Sequence, residues 1–224
     1  VKVFEMVGGG TGATERQLKM FKVPYRSVHV HPSGHAGYYP GTSMLHLKVL
    51  FDPTTGRILG AQSTGFDGVD KRLDVLAAAI RNGSTVFDLE EYELAYAPPF
   101  GSAKDPINMV GFVASNTIRG DLRLWYAEDY PANTEGARII DVRTPAEYAA
   151  GHVDGAVNVD VESPDFAEQL ATLDKAGTYA VYCHSGRRSA MATDQMAQAG
   201  FTNVYNLSGG IGDLQAAGAQ IVTS

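Results

Sequence analysis

Two rhythms of apolar and polar positions divide the chain. In the first half, Ser27–His31 alternates, and Met44–Phe51 alternates before running apolar. Both patterns predict strands. Asp52-Pro-Thr-Thr-Gly56 has turn chemistry, and Arg57–Ser63 reads as the returning strand of an antiparallel hairpin. Val69, Leu73, Leu76 and Ile80 recur at helical spacing up to Asn82-Gly83, a helix stop. A further helix is predicted over 106–119, with Met109, Phe112 and Val113 on its apolar face. Strands followed by helices indicate an α+β domain built on an antiparallel sheet.

After a seam at 119–137 the rhythm becomes an alternation of strands and helices. Ala137–Arg143, Gly155–Asp160, Tyr179–Tyr182 and Asn203–Leu207 read as strands. Pro145–Ala150, residues 165–173 and Ala190–Ala199 read as helices. That order predicts an α/β domain with a mainly parallel sheet, whose working site lies beyond the carboxyl ends of the strands. Asp141 and Cys183 both fall at such ends and can face one crevice. The expected division is 1–120 for the first domain, 121–136 for a linker and 137–224 for the second.

Charge narrows the partners. With 18 Lys and Arg against 25 Asp and Glu, the net charge of -7 argues against nucleic acid. No apolar run reaches membrane-spanning length, and no signal-peptide pattern opens the chain. A single cysteine forms no internal disulfide, so a reducing cytoplasm is the expected compartment.

That cysteine lies in Cys183-His-Ser-Gly-Arg-Arg-Ser189, between a predicted strand and a predicted helix. Backbone N–H groups in such a loop converge on one point, and the helix N-terminus adds partial positive charge. Electropositive, part-exposed surroundings favour a thiolate nucleophile, whereas a cysteine used for packing has apolar neighbours. The flanks here are polar and cationic, which speaks against a core position. Cys183 is the candidate nucleophile, and His184, Ser185, Gly186, Arg187, Arg188 and Ser189 form its candidate anion-binding loop.

Ile140–Glu147, Gly151–Val159, the Cys183 loop and Asn206–Ile211 together resemble, in this order, the rhodanese sulfurtransferases over residues 138–224. The resemblance implies that Cys183 takes a sulfane sulfur from a donor such as thiosulfate, becomes a persulfide, and passes the sulfur to a thiol or to cyanide. A persulfide is anionic, so inward-pointing loop amides would stabilise it. Arg187 and Arg188 would attract an anionic donor, or the phosphates of a larger thiol carrier. Asp141 and Arg143 read as supporting residues that brace a strand end, and His152 as a structural histidine. His184 is open between proton donor and solvent-facing side chain. Protein phosphatases use Cys-x5-Arg. Here Ser189 holds that last place and the arginines fall earlier, which argues against phosphatase or arsenate reductase chemistry.

The first half also resembles a family, through Val30–Gly41, Leu59–Gln62, Asp70–Asp74 and Glu93–Pro106. It is similar to the dimerisation domain of the pyridine nucleotide-disulfide oxidoreductases. The branch is that of coenzyme A-disulfide reductases and NADH-dependent persulfide reductases, some of which end in a rhodanese. The resemblance implies a homodimer. It also assigns Tyr38 and Tyr96 to the dimer partner's coenzyme A and redox-cysteine site, as hydroxyl donors to a thiolate or sulfur adduct. FAD and NAD(P)H domains precede this region in that branch, and the chain carries neither. Those cofactors and coenzyme A are therefore implied for a full-length enzyme, with none bound by this chain alone. The Val1 start agrees with a carboxyl-terminal portion of such a reductase; a rearranged relative without flavin modules is the other reading.

Gly8-Gly-Gly-Thr-Gly-Ala13 nearly spells a dinucleotide fingerprint, but the βαβ unit and the acidic residue about 20 positions on are missing. Thr11-Gly12 and Glu15 fit the dimerisation family instead, with Thr14 as a helix cap. His29, His31, His35 and His46 lack cysteine or carboxylate partners at ligand spacing, so no metal is expected. The expected function is sulfane-sulfur transfer through Cys183 within or beside a flavin- and NAD(P)H-dependent reductase. The alternative is a dimerisation and sulfur-carrier module without turnover that docks to a separate flavoprotein. A degenerate rhodanese used for binding is disfavoured by the presence of Cys183.

Overall fold

In the computed structural model, which describes residues 1–224 apart from the side chain of Asn133, the chain divides into Val1–Arg119 and Gly120–Ser224. The first unit runs β1 (Lys2–Val3), β2 (Met6–Gly12), α1 (Glu15–Met20), β3 (Arg26–Val30), β4 (Leu45–Phe51) and β5 (Ile58–Gly65). Then come α2 (Val69–Asn82), α3 (Val86–Glu90) and α4 (Pro106–Arg119). Its five strands form one antiparallel sheet in the order β1-β2-β5-β4-β3. Alternation on β4 buries Leu45, Leu47, Val49 and Phe51 beneath the helices. The β4–β5 turn forms because Asp52 Oδ1 accepts from the amides of Thr54 and Thr55, at 2.8 and 2.7 Å.

The glycine run is strand β2, paired antiparallel from Gly8 opposite Thr64 to Gly12 opposite Gly60. Glycines on both strands serve close approach: a Cβ on Gly12 would lie 2.5 Å from Leu59 O, and one on Gly60 of β5 would lie 1.9 Å from Ala13 O. Thr14 caps α1 with Gln17 in a reciprocal capping box. One helix face differs from the sequence reading. On α4 the inward residues are Ile107, Val110, Gly111, Ala114 and Thr117, while Met109, Phe112 and Val113 are half-buried. Gly111 is the cause. It lets α4 press on α3, where a Cβ would stand 2.7 Å from Glu90 N.

The second unit runs β6 (Leu124–Tyr126), β7 (Arg138–Asp141), α5 (Pro145–Ala150), β8 (His152–Val153), β9 (Val157–Asn158) and α6 (Phe166–Ala171). It continues with β10 (Thr178–Tyr182), α7 (Arg187–Gln198), β11 (Asn203–Ser208), α8 (Ile211–Ala216) and β12 (Ile221–Val222). Five strands form a parallel sheet in the order β6-β11-β10-β7-β9, and β12 pairs with β8. Residues 121–136, read as a linker from sequence, supply edge strand β6, whose Trp125 is buried and donates Nε1–H to Val181 O at 3.2 Å. Helix α7 begins at Arg187, ahead of the expected Ala190, so both loop arginines stand in its first turn.

Two apolar clusters sandwich this sheet. Tyr179, Val181 and Cys183 enter the one with Ile140, Val142 and Met196, while Ala180 and Tyr182 enter the one with Leu207 and Leu214. The period of two along β10 therefore decides which way the cysteine points.

Candidate functional site

Cys183 follows the last residue of β10, and its side chain is 1% exposed. The expectation of a part-exposed thiol is corrected here. Strand alternation aims Cys183 to the same side as Val181, beneath the loop that its neighbours form. The thiol nonetheless has polar company. Gly186 N–H points at Sγ from 3.1 Å, and Ser189 Oγ donates to it from 3.4 Å. Gly186 takes the left-handed conformation, with φ of 87°, which turns the chain sharply into α7. Cys183 thus sits at the positive end of a twelve-residue helix with hydrogen-bond donors aimed at its sulfur.

The rest of the loop divides by charge. His184 and Arg187 are exposed, Ser185 and Gly186 half-buried, and Ser189 buried. Arg188 makes a bidentate pair with Glu147, Nη1 to Oε2 and Nη2 to Oε1, both at 2.7 Å. It also stands 3.7 Å from Glu162. Arg187 is therefore the loop arginine turned to solvent. The sequence pattern assigns Glu147 no role in the site. The signal that could have found it is the capping-box spacing from Thr144; in the structure the two residues cap the head of α5 reciprocally. The Arg188 guanidinium holds the Glu147 carboxyl down at about 2.

Gly210 is a second residue that sequence reasoning left without a role. A Cβ there would lie 1.8 Å from His184 O, and Ile211 N–H donates to Cys183 O at 3.0 Å. The turn before α8 thus forms one wall of the cysteine loop.

Asp141 and Arg143 stand beside the loop and do not face it. Asp141 is opposite Tyr182 in the sheet. Its carboxylate accepts from Arg143 Nε at 2.9 Å and from Nη2 at 2.6 Å, and Nη2 also donates to Gly151 O at 2.6 Å. The pair ties β7 to the end of α5. His152 stacks on Tyr148, with ring centroids 3.6 Å apart, and its Nδ1 lies 2.9 Å from Tyr148 O.

In the first unit, Tyr38 and Tyr96 come together from separate loops, their hydroxyls 3.0 Å apart. They are 76% and 51% exposed, so the pair faces outward. The hydrogen bond it shares with Tyr96 raises the Tyr38 phenol above its ordinary value. His31 and His46 face each other with Nδ1 atoms 2.7 Å apart, and His35 Nδ1 lies 3.2 Å from Ala36 O. Among the described residues no group of three or more His, Cys, Asp or Glu could hold a metal ion, and no helix is long and apolar enough to cross a membrane.

Residues 1–105 match the family model of the pyridine nucleotide-disulphide oxidoreductase dimerisation domain, and residues 126–217 match that of the rhodanese-like domain. The coenzyme A disulfide reductase of Staphylococcus aureus is 46% identical over 114 residues, which are 51% of this chain and 26% of that enzyme. Among solved structures, reduced Bacillus anthracis CoADR-RHD is 38% identical with a TM-score of 0.90, over 96% of this chain and 38% of that one. A NAD-dependent persulfide reductase from A. fulgidus is 30% identical with a TM-score of 0.82, over 95% of this chain and 38% of that one. The chain spans about a quarter of the curated reductase and under two fifths of either solved relative. The chain thus joins a pyridine nucleotide-disulphide oxidoreductase dimerisation domain to a rhodanese-like domain, and it is similar to the carboxyl-terminal portion of reductases that carry both.

Proposed function

We propose that the chain transfers sulfane sulfur through a persulfide on Cys183, within or beside a flavin- and NAD(P)H-dependent coenzyme A-disulfide or persulfide reductase. The observation that carries this reading is the pair of donors, Gly186 N–H and Ser189 O–H, aimed at Sγ at the mouth of α7. The Cys183 thiolate attacks the outer sulfur of thiosulfate. The S–S bond breaks, and sulfite leaves with the electron pair. The resulting persulfide anion is stabilised by loop amides and the helix N-terminus. An acceptor thiolate, such as that of coenzyme A, then attacks the terminal sulfur. The acceptor leaves as a persulfide and the Cys183 thiolate is restored.

The glycine run does not fit the pyrophosphate of FAD or NAD(P)H, because it is an antiparallel strand rather than the turn into a helix of a βαβ unit. In this reading they belong to the remainder of the reductase. The first unit makes a homodimer, and its Tyr38–Tyr96 pair donates hydroxyls to a thiolate or sulfur adduct in the dimer partner's site. The cytoplasm, where a lone thiol stays reduced, is the compartment the reading assumes.

Intact mass before and after thiosulfate, on the native chain and on Cys183→Ala, tests the transfer. One added sulfur that requires Cys183 and is removed by cyanide supports it. No added sulfur from thiosulfate or from a small persulfide overturns it. Repeated formation of thiocyanate with excess cyanide separates a turning-over enzyme from a carrier that loads once and stops.

A further inference from the structure

Among the described residues the largest fully buried side chain is a charged one, Arg72 on α2, at 1% exposure. Its guanidinium reaches three separate segments. Nε and Nη2 donate to Asp105 Oδ1 and Oδ2, at 3.2 and 2.8 Å. Nη2 also donates to Gly34 O at 2.8 Å, and Nη1 to Gly68 O at 3.3 Å. Room for it is reserved, since a Cβ on Gly68 would stand 2.3 Å from Nη1. Asp105 is itself fixed: its Oδ1 accepts from Ile107 N at 3.1 Å, at the head of α4.

A buried ion pair is a poor device for stability alone, because desolvating two charges offsets most of their attraction and apolar side chains of similar volume hold a core as well. What a planar guanidinium adds is direction, with several donors in a fixed fork. Besides Gly68 at the head of its own helix, the acceptors it joins belong to the two loops that carry the tyrosines. Gly34 lies four residues before Tyr38, and Asp105 closes the irregular stretch that holds Tyr96. The same loops meet directly where Ala36 N–H donates to Gly101 O at 2.9 Å. Neighbouring Lys71 secures the second loop by donating to Phe100 O at 3.2 Å.

We infer that Arg72 and Asp105 are positioning residues, a buried fork that sets the two loops so that the exposed Tyr38 and Tyr96 hydroxyls act as one preorganised hydrogen-bonding unit. The role rests on reading those tyrosines as donors to a sulfur site. Without it, two exposed phenols on long loops would spend much of their time apart, at a cost in conformational entropy on every encounter with a ligand.

The test reads the phenols themselves on the purified 224-residue chain. Tyrosine labelled with carbon-13 at Cζ reports its ionisation by NMR, and the Tyr38 signal is identified by its loss in Tyr38→Phe. Tyr96→Phe is expected to lower the Tyr38 titration and so measures the effect of the pair; no change there would show that the hydroxyls do not act together and would overturn the inference. Asp105→Asn keeps an acceptor for Ile107 but breaks the fork, and Arg72→Lys keeps the charge but cannot span the three segments. In either variant, folded by circular dichroism, Tyr38 is expected to lose most of the Tyr96-dependent rise. An unchanged Tyr38 titration in a folded variant overturns the inference. Failure of both variants to fold would assign the pair to stability and overturn it equally. A failed sulfur-transfer assay would leave this result standing, so the two readings fail separately.

Discussion

The guanidinium of Arg188 grips the carboxylate of Glu147 through two 2.7 Å hydrogen bonds across 41 positions of sequence. The contact answers an electrostatic problem. Two arginines begin α7, where the helix dipole is positive and cations are disfavoured. Neutralising one of them anchors the first turn and leaves the other free to meet a ligand.

Glu147→Gln keeps the side chain's size and its capping oxygen but removes the charge that holds Arg188. The pair is partly exposed, so the expected loss of stability is about 0.5–1 kcal/mol. Because the pair anchors the turn that presents the loop, loading of Cys183 by thiosulfate is expected to slow about tenfold, equivalent to about 1.4 kcal/mol in the barrier. Denaturant unfolding and stopped intact-mass time courses read the two effects. A variant that loses stability yet loads at the native rate would show that the anchor does not set the loop.

The same carboxylate makes a pH prediction. Its folded value, about 2, lies below the ordinary 4.5, chiefly because of the hydrogen bonds from Arg188. The native form therefore binds this proton less readily than the unfolded form. The contribution is fully present above about 4.5 and is lost as pH falls through about 2. The stability difference between native chain and Glu147→Gln should be flat at neutral pH and shrink toward pH 2. A difference that keeps its size down to pH 2 would contradict the assignment.

Arg187, exposed and next to the engaged Arg188, is the expected attractor for an anionic donor. Arg187→Ala should raise KM for thiosulfate about tenfold with kcat little changed, the pattern of lost binding rather than lost chemistry. Added salt should narrow the gap between native and variant, since exposed charges are screened within about 8 Å at physiological ionic strength. A neutral organic trisulfide, whose central sulfur Cys183 attacks to form a mixed trisulfide as the organic thiolate leaves, should react with both proteins at equal rates. Equal damage with the neutral donor would point to a disturbed loop instead.

Gly210 and Gly212 offer a matched pair of alanine substitutions. At Gly210 the new Cβ meets the His184 carbonyl oxygen at 1.8 Å, a backbone atom that moves only if the cysteine loop moves. At Gly212 nothing lies within 4 Å. Gly210→Ala should lose about 1–3 kcal/mol of stability and most sulfur loading. Gly212→Ala, within α8, should keep both or gain slightly. Native-like loading by Gly210→Ala would show that the loop tolerates another path past α8.

What the sequence determined by itself was everything that local chemistry controls. Apolar period located α2 to within its Asn82-Gly83 stop, and the strand-loop-helix around Cys183 was legible because each element depends on near neighbours. Turn residues placed the hairpin at Asp52–Gly56, and Pro145–Ala150 was legible as the helix α5. Family likeness added Tyr38 and Tyr96, though not that their hydroxyls meet within one chain from 58 positions apart. Contacts of that kind depend on where distant segments come to rest. Only the tertiary structure decided that Cys183 is buried, that Arg188 is taken up by Glu147, that α4 turns Gly111 rather than Phe112 inward, and that Arg72 lies in the core. Each is settled by a partner brought close by folding, and no periodicity or propensity in a short window carries that information.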